Sequence, residues 1–200
     1  MKVLELFSGT ESFSKIAREK GHETFTMDFN DEFNSDLCID ILDLKVEDIP
    51  FKPDIIWASP PCTFFSVASI GKHWNKDNTP KTDNAKFGVE LVKKTVEIIK
   101  ELNPKFIIIE NPRGKLRKLN LIPYERTSVC YCQYGDTRMK PTDLWNNFNF
   151  IGKMCKNGNP DHISAPRGSR TGTQGLKGNM ERSVIPEKLC EEILEILENE

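Results

Sequence analysis

Residues 105–112 read KFIIIENP, and the four from Phe106 to Ile109 are apolar without a break. A strand with one wet face alternates polar and apolar residues. An unbroken run, preceded by Pro104 and ended by Glu110, Asn111 and Pro112, therefore predicts a parallel strand covered on both faces by helices. That points to an open, doubly wound, mostly parallel α/β sheet. In such sheets ligands bind beyond the carboxyl ends of the strands, so Glu110 stands where chemistry is done.

The rest of the chain supplies the strands and helices that this fold needs. KVLELF is a strand that runs through SGTES into a helix with Phe13, Ile16 and Ala17 on one face, stopping at Gly21. ETFTMD forms a second strand ending at Asp28, LCIDI a short third, and DIIWAS a fourth set off by Pro50 and Pro53. Val89, Val92, Val96 and Ile99 recur at helical spacing over residues 87–102, whereas residues 71–86 are polar, basic and without period and predict a long mobile loop. SVCYCQYG and, more weakly, LWNNFNF predict further strands. The closing IPEKLCEEILEILE predicts a helix with Leu189, Ile193, Ile196 and Leu197 on one side. The 200 residues are expected to form a single domain.

A net charge of -2 excludes a chain coated with basic charge, so nucleic acid must be met by a local patch. No apolar run approaches the roughly 20 residues that span a bilayer, and MKVLELFSGTES does not read as a signal peptide. The expectation is a cytoplasmic monomer without a membrane partner. Its six cysteines are then thiols, ligands or a nucleophile rather than a disulfide framework.

Four residues fall at or just after strand ends: Asp28, Asp40, Cys62 and Glu110. The turn through Gly9 opens a helix N-terminus toward a polar ligand. Asp28 suits ribose hydroxyls, and Phe29 beside it suits a purine ring. Cys62 follows two prolines that fix its backbone, and a modestly electropositive loop would activate it as a nucleophile; the plainer reading is a small core residue. Glu110 is either a reactive carboxyl group or the partner of Arg113. In the 71–86 loop Trp74 and His73 could stack or wedge, and Lys72 could meet phosphate. Cys130, Cys132, Cys155 and His162 could be gathered around zinc, although the C-x-C spacing falls short of the usual pattern, and no metal is assigned.

Taken in order, LFSGTESFSKIAREKGH, TMDF, IDI, SPPCTFFS, IIIENP, YGDTRMKPTDLW and IPEKLCEEI resemble the cytosine-C5 DNA methyltransferases in their compact phage and prophage form. The pairing of PPC with a later strand-terminal ENP is the specific part. The resemblance implies a Rossmann-like domain that transfers methyl from S-adenosylmethionine to carbon 5 of cytosine in DNA and leaves S-adenosylhomocysteine. It implies cofactor contacts from Phe7, Ser8, Gly9, Thr10, Asp28, Phe29, Asp40, Ile41 and Pro60, with the closing helix returning beside the cofactor. Cys62 would attack carbon 6 of the base, Glu110 would offer a proton to N3, and Arg138 or Lys140 would bind O2. The reduced Gly- and Arg-rich segment, about 153–182, would serve recognition, with Arg167, Arg170 and Lys177 joining Lys72, His73, Trp74 and Arg113 on the DNA. An exocyclic-amino methyltransferase and a non-catalytic cofactor- or DNA-binding protein remain the alternatives.

Overall fold

Alternation along β1 (Lys2–Leu6) sends Leu4 and Leu6 into one hydrophobic core and Val3 into another, which places a core on each face of a central sheet. The computed structural model describes residues 1–156, 160–163 and 179–200. Its remaining strands are β2 (Glu23–Asp28), β3 (Leu37–Cys38), β4 (Ile55–Ala58), β5 (Phe106–Pro112), β6 (Glu125–Cys130) and β7 (Pro141–Asn146). They form one seven-stranded sheet in the order β3-β2-β1-β4-β5-β7-β6. The pairs from β3 to β5 are parallel; β7 alone runs against its neighbours, between β5 and β6.

Helices cover both faces as the apolar strands require. Leu91, Val92, Val96, Ile98, Ile99 and Leu102 of α3 (Asp83–Leu102) join Leu4, Leu6, Ile56 and Ile107 in the first core. On the opposite face α1 (Ser12–Glu19) and α5 (Glu187–Asn199) pack together over Val3, Ile55, Trp57 and Ile108. Phe13 of α1 stacks on Trp57 with ring centroids 4.5 Å apart. The Ile185 N–H donates to Ser12 Oγ at 3.1 Å and ties the approach to α5 onto the start of α1.

Three expectations change. α3 starts at Asp83, four residues early, because Thr82 caps it by accepting from the Ala85 N–H at 3.3 Å, and the polar residues of its first turn hide the period. SVCYCQYG is a strand only to Cys130, after which residues 131–134 form a 3₁₀ turn ended by Gly135 at φ 90°. Residues 71–86 are no long featureless loop. A short helix, α2 (Ile70–His73), leads to a bridge between Trp74 and Pro80, and then α3 begins.

His73 and Trp74 are buried, so neither ring is offered to DNA as a surface platform. The Trp74 Nε1–H donates to Phe64 O at 2.7 Å, and the Lys115 ammonium sits 5.4 Å from the ring centroid while donating to Asn78 Oδ1 at 2.7 Å. His73 Nδ1 lies 2.7 Å from Thr82 Oγ1. Two anchored rings order a stretch in which no hydrophobic period exists to be read.

Candidate active site

The sheet register lines up the loops that matter. Leu6 pairs with Met27 and Ala58, and Ala58 pairs with Ile109, so Phe7, Asp28, Ser59 and Glu110 emerge in one row. The Cys62 loop, following Ser59, is clamped by the end of β5. The buried Asn111 donates from Nδ2 to Pro60 O at 2.8 Å, and the Lys115 N–H donates to Phe65 O at 2.7 Å. Gly114 allows this approach, since a Cβ there would lie 2.2 Å from Phe65 O. The Phe65 and Ser66 N–H groups both donate to Cys62 O, closing a tight turn around the thiol.

Glu110 is buried, and its Oε1 accepts from the Tyr131 hydroxyl at 2.9 Å. Burial pushes its pKa up, against the opposing pull of Lys140 and Tyr131. The Lys140 Nζ lies 4.4 Å from the Tyr131 ring centroid, and burial lowers its pKa while Glu110 and Cys62 pull it back. The Cys62 thiol is pushed up by burial and by Glu110, with Lys140 opposing. An already activated thiol, expected from a modestly electropositive loop, is therefore not what the free protein holds. Losing the Glu110 charge removes one of the two influences that hold Cys62 protonated.

Of the two candidate cations, Lys140 faces this group. Arg138 is spent elsewhere: its Nε is 2.9 Å from both carboxylate oxygens of Asp136, and its guanidinium donates to Glu181 O at 3.1 Å and Val184 O at 3.4 Å. Those carbonyls belong to α4 (Asn179–Ser183) and the residue after it. Lys140 also donates to Arg182 O at 2.8 Å, so both cations hold the returning chain. Lys140 sits at φ 24°, a left-handed conformation that costs backbone energy and aims the side chain. Arg113 is exposed and not the partner of Glu110, whose carboxylate is taken by Tyr131. Lys72 is exposed. Arg167, Arg170 and Lys177 lie outside the described residues, as does much of segment 153–182.

At the other end of the row the loop after β1 carries φ values of 58°, 46° and 53° at Phe7, Gly9 and Glu11. Two of these three left-handed residues have side chains, so the loop is strained, and strain of this kind clusters at binding sites. Asp28 accepts from the Gly9 N–H at 2.9 Å and the Asn30 N–H at 3.0 Å, joining the loop to the end of β2. Ser8 Oγ is 2.9 Å from Ser35 Oγ, and Thr10 Oγ1 is 3.0 Å from Ser12 Oγ. Phe29 stands 68% exposed beside Asp28, an uncovered aromatic face at a sheet edge. Asp40 accepts from the Leu42 N–H at 2.9 Å. Ile41 is 2% exposed within the first core, so its side chain is not a surface for a ligand and only its backbone remains for that role.

Sequence reasoning missed Glu5. This buried carboxyl group accepts from the Phe13 and Ser14 N–H groups at the start of α1, and burial raises its pKa to about 7. The visible signal was a charged residue inside the apolar KVLELF. Tyr131 was also missed, because it lies in what reads as a strand.

The family model for C-5 cytosine-specific DNA methylases matches residues 1–121, the span that holds the loops after β1, β2, β4 and β5. A curated relative described as "Probable DNA (cytosine-5)-methyltransferase" from Frog virus 3 (isolate Goorha) is 33% identical over 98% of this chain and 100% of its own length. The chain belongs to the C-5 cytosine-specific DNA methylases. It is a DNA (cytosine-5)-methyltransferase, and its methyl donor is S-adenosylmethionine. Two solved structures share the fold of this methylase. One is a DNA modification methyltransferase encoded within an E. coli prophage, with TM-score 0.54 and 20% identity over 100% of this chain and 69% of that one. The other is the Entamoeba histolytica methyltransferase EhMeth, with TM-score 0.53 and 13% identity over 78% of this chain and 57% of that one.

The residues at the β1 and β2 ends fit the donor. Phe29 offers the open aromatic face that an adenine needs, and Asp28 keeps carboxylate lone pairs beyond those used by two backbone donors.

Proposed function

We propose that Cys62 is the nucleophile of this methylase, with Glu110 as the acid at N3 of the target cytosine and Lys140 as the cation beside it. The observation that carries this reading is the grouping of a half-buried thiol, a buried carboxyl group raised by burial and a buried ammonium lowered by burial, each within electrostatic reach of the other two.

Carbon 6 of cytosine is a poor electrophile, because addition there places negative charge on N3 and O2. Glu110, whose pKa burial raises, donates a proton to N3, while Lys140 stabilises charge on the same edge. The Cys62 thiol gives its proton to solvent as its sulfur bonds to carbon 6, and the N3 proton from Glu110 balances the charge that addition places on the ring. Carbon 5 then becomes an enamine-like nucleophile. S-adenosylmethionine, when bound, supplies the electrophilic methyl group for that carbon. Loss of the carbon 5 proton to solvent, with return of the N3 proton to Glu110, restores the aromatic ring and expels Cys62. Tyr131 holds the Glu110 carboxyl group in place, and Asn111 holds the Cys62 loop.

Phe7, Ser8, Gly9, Thr10, Asp28, Phe29, Asp40, Pro60 and the Ile41 backbone line the donor site in this reading. The base enters from DNA and must leave the helix stack to reach Cys62. Exposed Lys72 and Arg113 are among the described cations available to phosphates, and Arg167, Arg170 and Lys177 are proposed to extend that patch. The methylase acts as a monomeric single domain in the cytoplasm; all six cysteines are unpaired, as a reducing compartment favours, and among the described residues no helix is long and apolar enough to cross a membrane.

DNA containing 5-fluorocytosine tests the mechanism, because fluorine at carbon 5 cannot leave as a proton and the thioether to carbon 6 then persists. A covalent complex that requires the donor, and that disappears in Cys62→Ala while donor binding is kept, is the expected result. Methylation of DNA with no adduct at all would instead favour an exocyclic-amino methyltransferase.

A further inference from the structure

Away from the active site, three metal-binding side chains meet. Cys132 Sγ, Cys155 Sγ and a ring nitrogen of His162 all lie within 4.8 Å of one another. Cys155 Sγ is 3.4 Å from His162 Nδ1. The three come from separate stretches: the 3₁₀ turn after β6, the extended chain after β7, and residues 160–163.

Hydrogen bonds other than those of the three candidate ligands hold these stretches in register. The Cys130 N–H donates to Lys153 O at 2.9 Å, the Lys153 N–H to the Tyr134 hydroxyl at 3.2 Å, and the Ile163 N–H to Thr137 O at 2.9 Å. Gly152 permits the close passage, since a Cβ there would stand 2.2 Å from Ser128 O. Cys132 and Cys155 share a small buried cluster with Cys130, packed on Met139 and separate from both large cores. So little apolar area gains little from burial alone.

The geometry suits a metal. Zinc takes sulfur at about 2.3 Å and nitrogen at about 2.0 Å in a tetrahedron, which puts those two atoms roughly 3.5 Å apart. The Cys155–His162 edge already has that length. Thiolate and imidazole donors select zinc over the oxygen-seeking calcium and magnesium ions. Gln133 adds an outer partner, its Nε2 lying 3.7 Å from Cys132 Sγ and donating to Asp161 Oδ2 at 2.9 Å.

We propose that Cys132, Cys155 and His162 bind a structural zinc ion, with solvent or a neighbouring donor such as Cys130 or Asp161 in the fourth position. Binding converts two thiols to thiolates and releases their protons to solvent. The ion links the turn that carries Tyr131, and hence Glu110, to the chain that follows β7. It thereby braces the floor of the active site from outside.

Elemental analysis of the full-length protein, purified with its thiols reduced, should find about one zinc per chain, and zinc should raise the melting temperature of the chelated protein. Cobalt in its place should give the visible bands of a tetrahedral ion with thiolate charge transfer. His162→Gln, at a half-buried surface position, and Cys155→Ser should each weaken zinc by more than the roughly 10- to 100-fold typical of losing an outer partner. Cys38→Ser, which removes an exposed thiol elsewhere, should keep full affinity. The proposal is overturned if the fully reduced protein takes up neither metal, if cobalt shows no thiolate band, or if folded His162→Gln and Cys38→Ser bind zinc alike.

Discussion

Glu5 and Glu110 are both buried carboxyl groups toward the carboxyl ends of parallel strands, and burial raises the pKa of both, yet they meet different neighbours. Glu5 takes the place of a helix cap. Glu11, the residue before α1, makes no side-chain cap, and Glu5 accepts instead from the Phe13 N–H at 3.4 Å and the Ser14 N–H at 2.8 Å. Glu110 meets a phenol, an ammonium and a thiol. Backbone donors cannot move or lose their protons, so Glu5 is a fixed acceptor. The neighbours of Glu110 are titratable side chains, so in the proposed mechanism its proton has somewhere to go. A raised pKa identifies a buried carboxyl group; the neighbours decide whether it does chemistry.

Substitutions can break this contrast. Glu110→Gln should slow methyl transfer by roughly 10²- to 10⁴-fold, the usual worth of a general acid, with DNA binding retained. Glu5→Gln should leave single-turnover rates within a few-fold at a pH where it is folded. A comparable loss in both would erase the distinction.

The next effect is on stability. A carboxyl group whose folded pKa is raised, here from 4.5 to about 7, contributes stability that is full below about pH 4.5 and is lost as pH rises through about 7. The loss is on the order of 3 kcal/mol. Urea denaturation at pH 5 and pH 8 should show the wild-type protein weakening with rising pH, and Glu5→Gln should shrink that difference. Glu110 is also raised and shares the sign, so some slope should survive. An unchanged slope in Glu5→Gln would mean that Glu5 is not the group responsible.

Asp28→Ala probes the donor end of the same row. Calorimetry should show S-adenosylmethionine binding weakened by about 1–3 kcal/mol, the cost of leaving ribose hydroxyls without a charged acceptor. Equal binding by mutant and wild type would remove Asp28 from the donor site. The smallest effect belongs to Tyr131→Phe. Its hydroxyl lowers the Glu110 pKa, so removing it should move the alkaline fall of the pH–rate profile upward by under about one unit, a hydrogen bond's worth. A shift in the other direction would show that Tyr131 does not favour the charged carboxylate.

Much of this is legible in the order of the residues alone. The unbroken FIII run, the strand-terminal Asp28 and Glu110, and the order of PPC before ENP point to the sheet, its two helical layers and the row of loops at one edge. Those features are local: a buried parallel strand must be apolar along its length, and the residue that ends it must be polar. Where period carries no information, reading fails. Residues 71–86 look like a solvated loop because what anchors them is a few side-chain contacts, Trp74 to Phe64 and Lys115, Asn78 to Lys115 and His73 to Thr82, rather than a repeating apolar face. Ile41 and Phe29 both flank strand ends, yet one is 2% and the other 68% exposed.

The sequence by itself determined which groups are present and at which strand ends, because strand burial and chain order are written in neighbouring residues. Only the tertiary structure set apart the surroundings of Arg138 and Lys140, on which the proposal for Lys140 rests. The two are a dipeptide step apart in a segment with no period, and the choice turned on Asp136 and the carbonyls of Glu181 and Val184, which occupy the guanidinium. Tertiary structure likewise brought Cys132, Cys155 and His162 together across thirty residues, through backbone bonds to β6 and its turn. It also set Cys62 among a carboxyl group and an ammonium that reach it from β5 and from the start of β7. Burial and charge act through space at a few ångströms, and distance along the chain carries no record of which side chains will share that space.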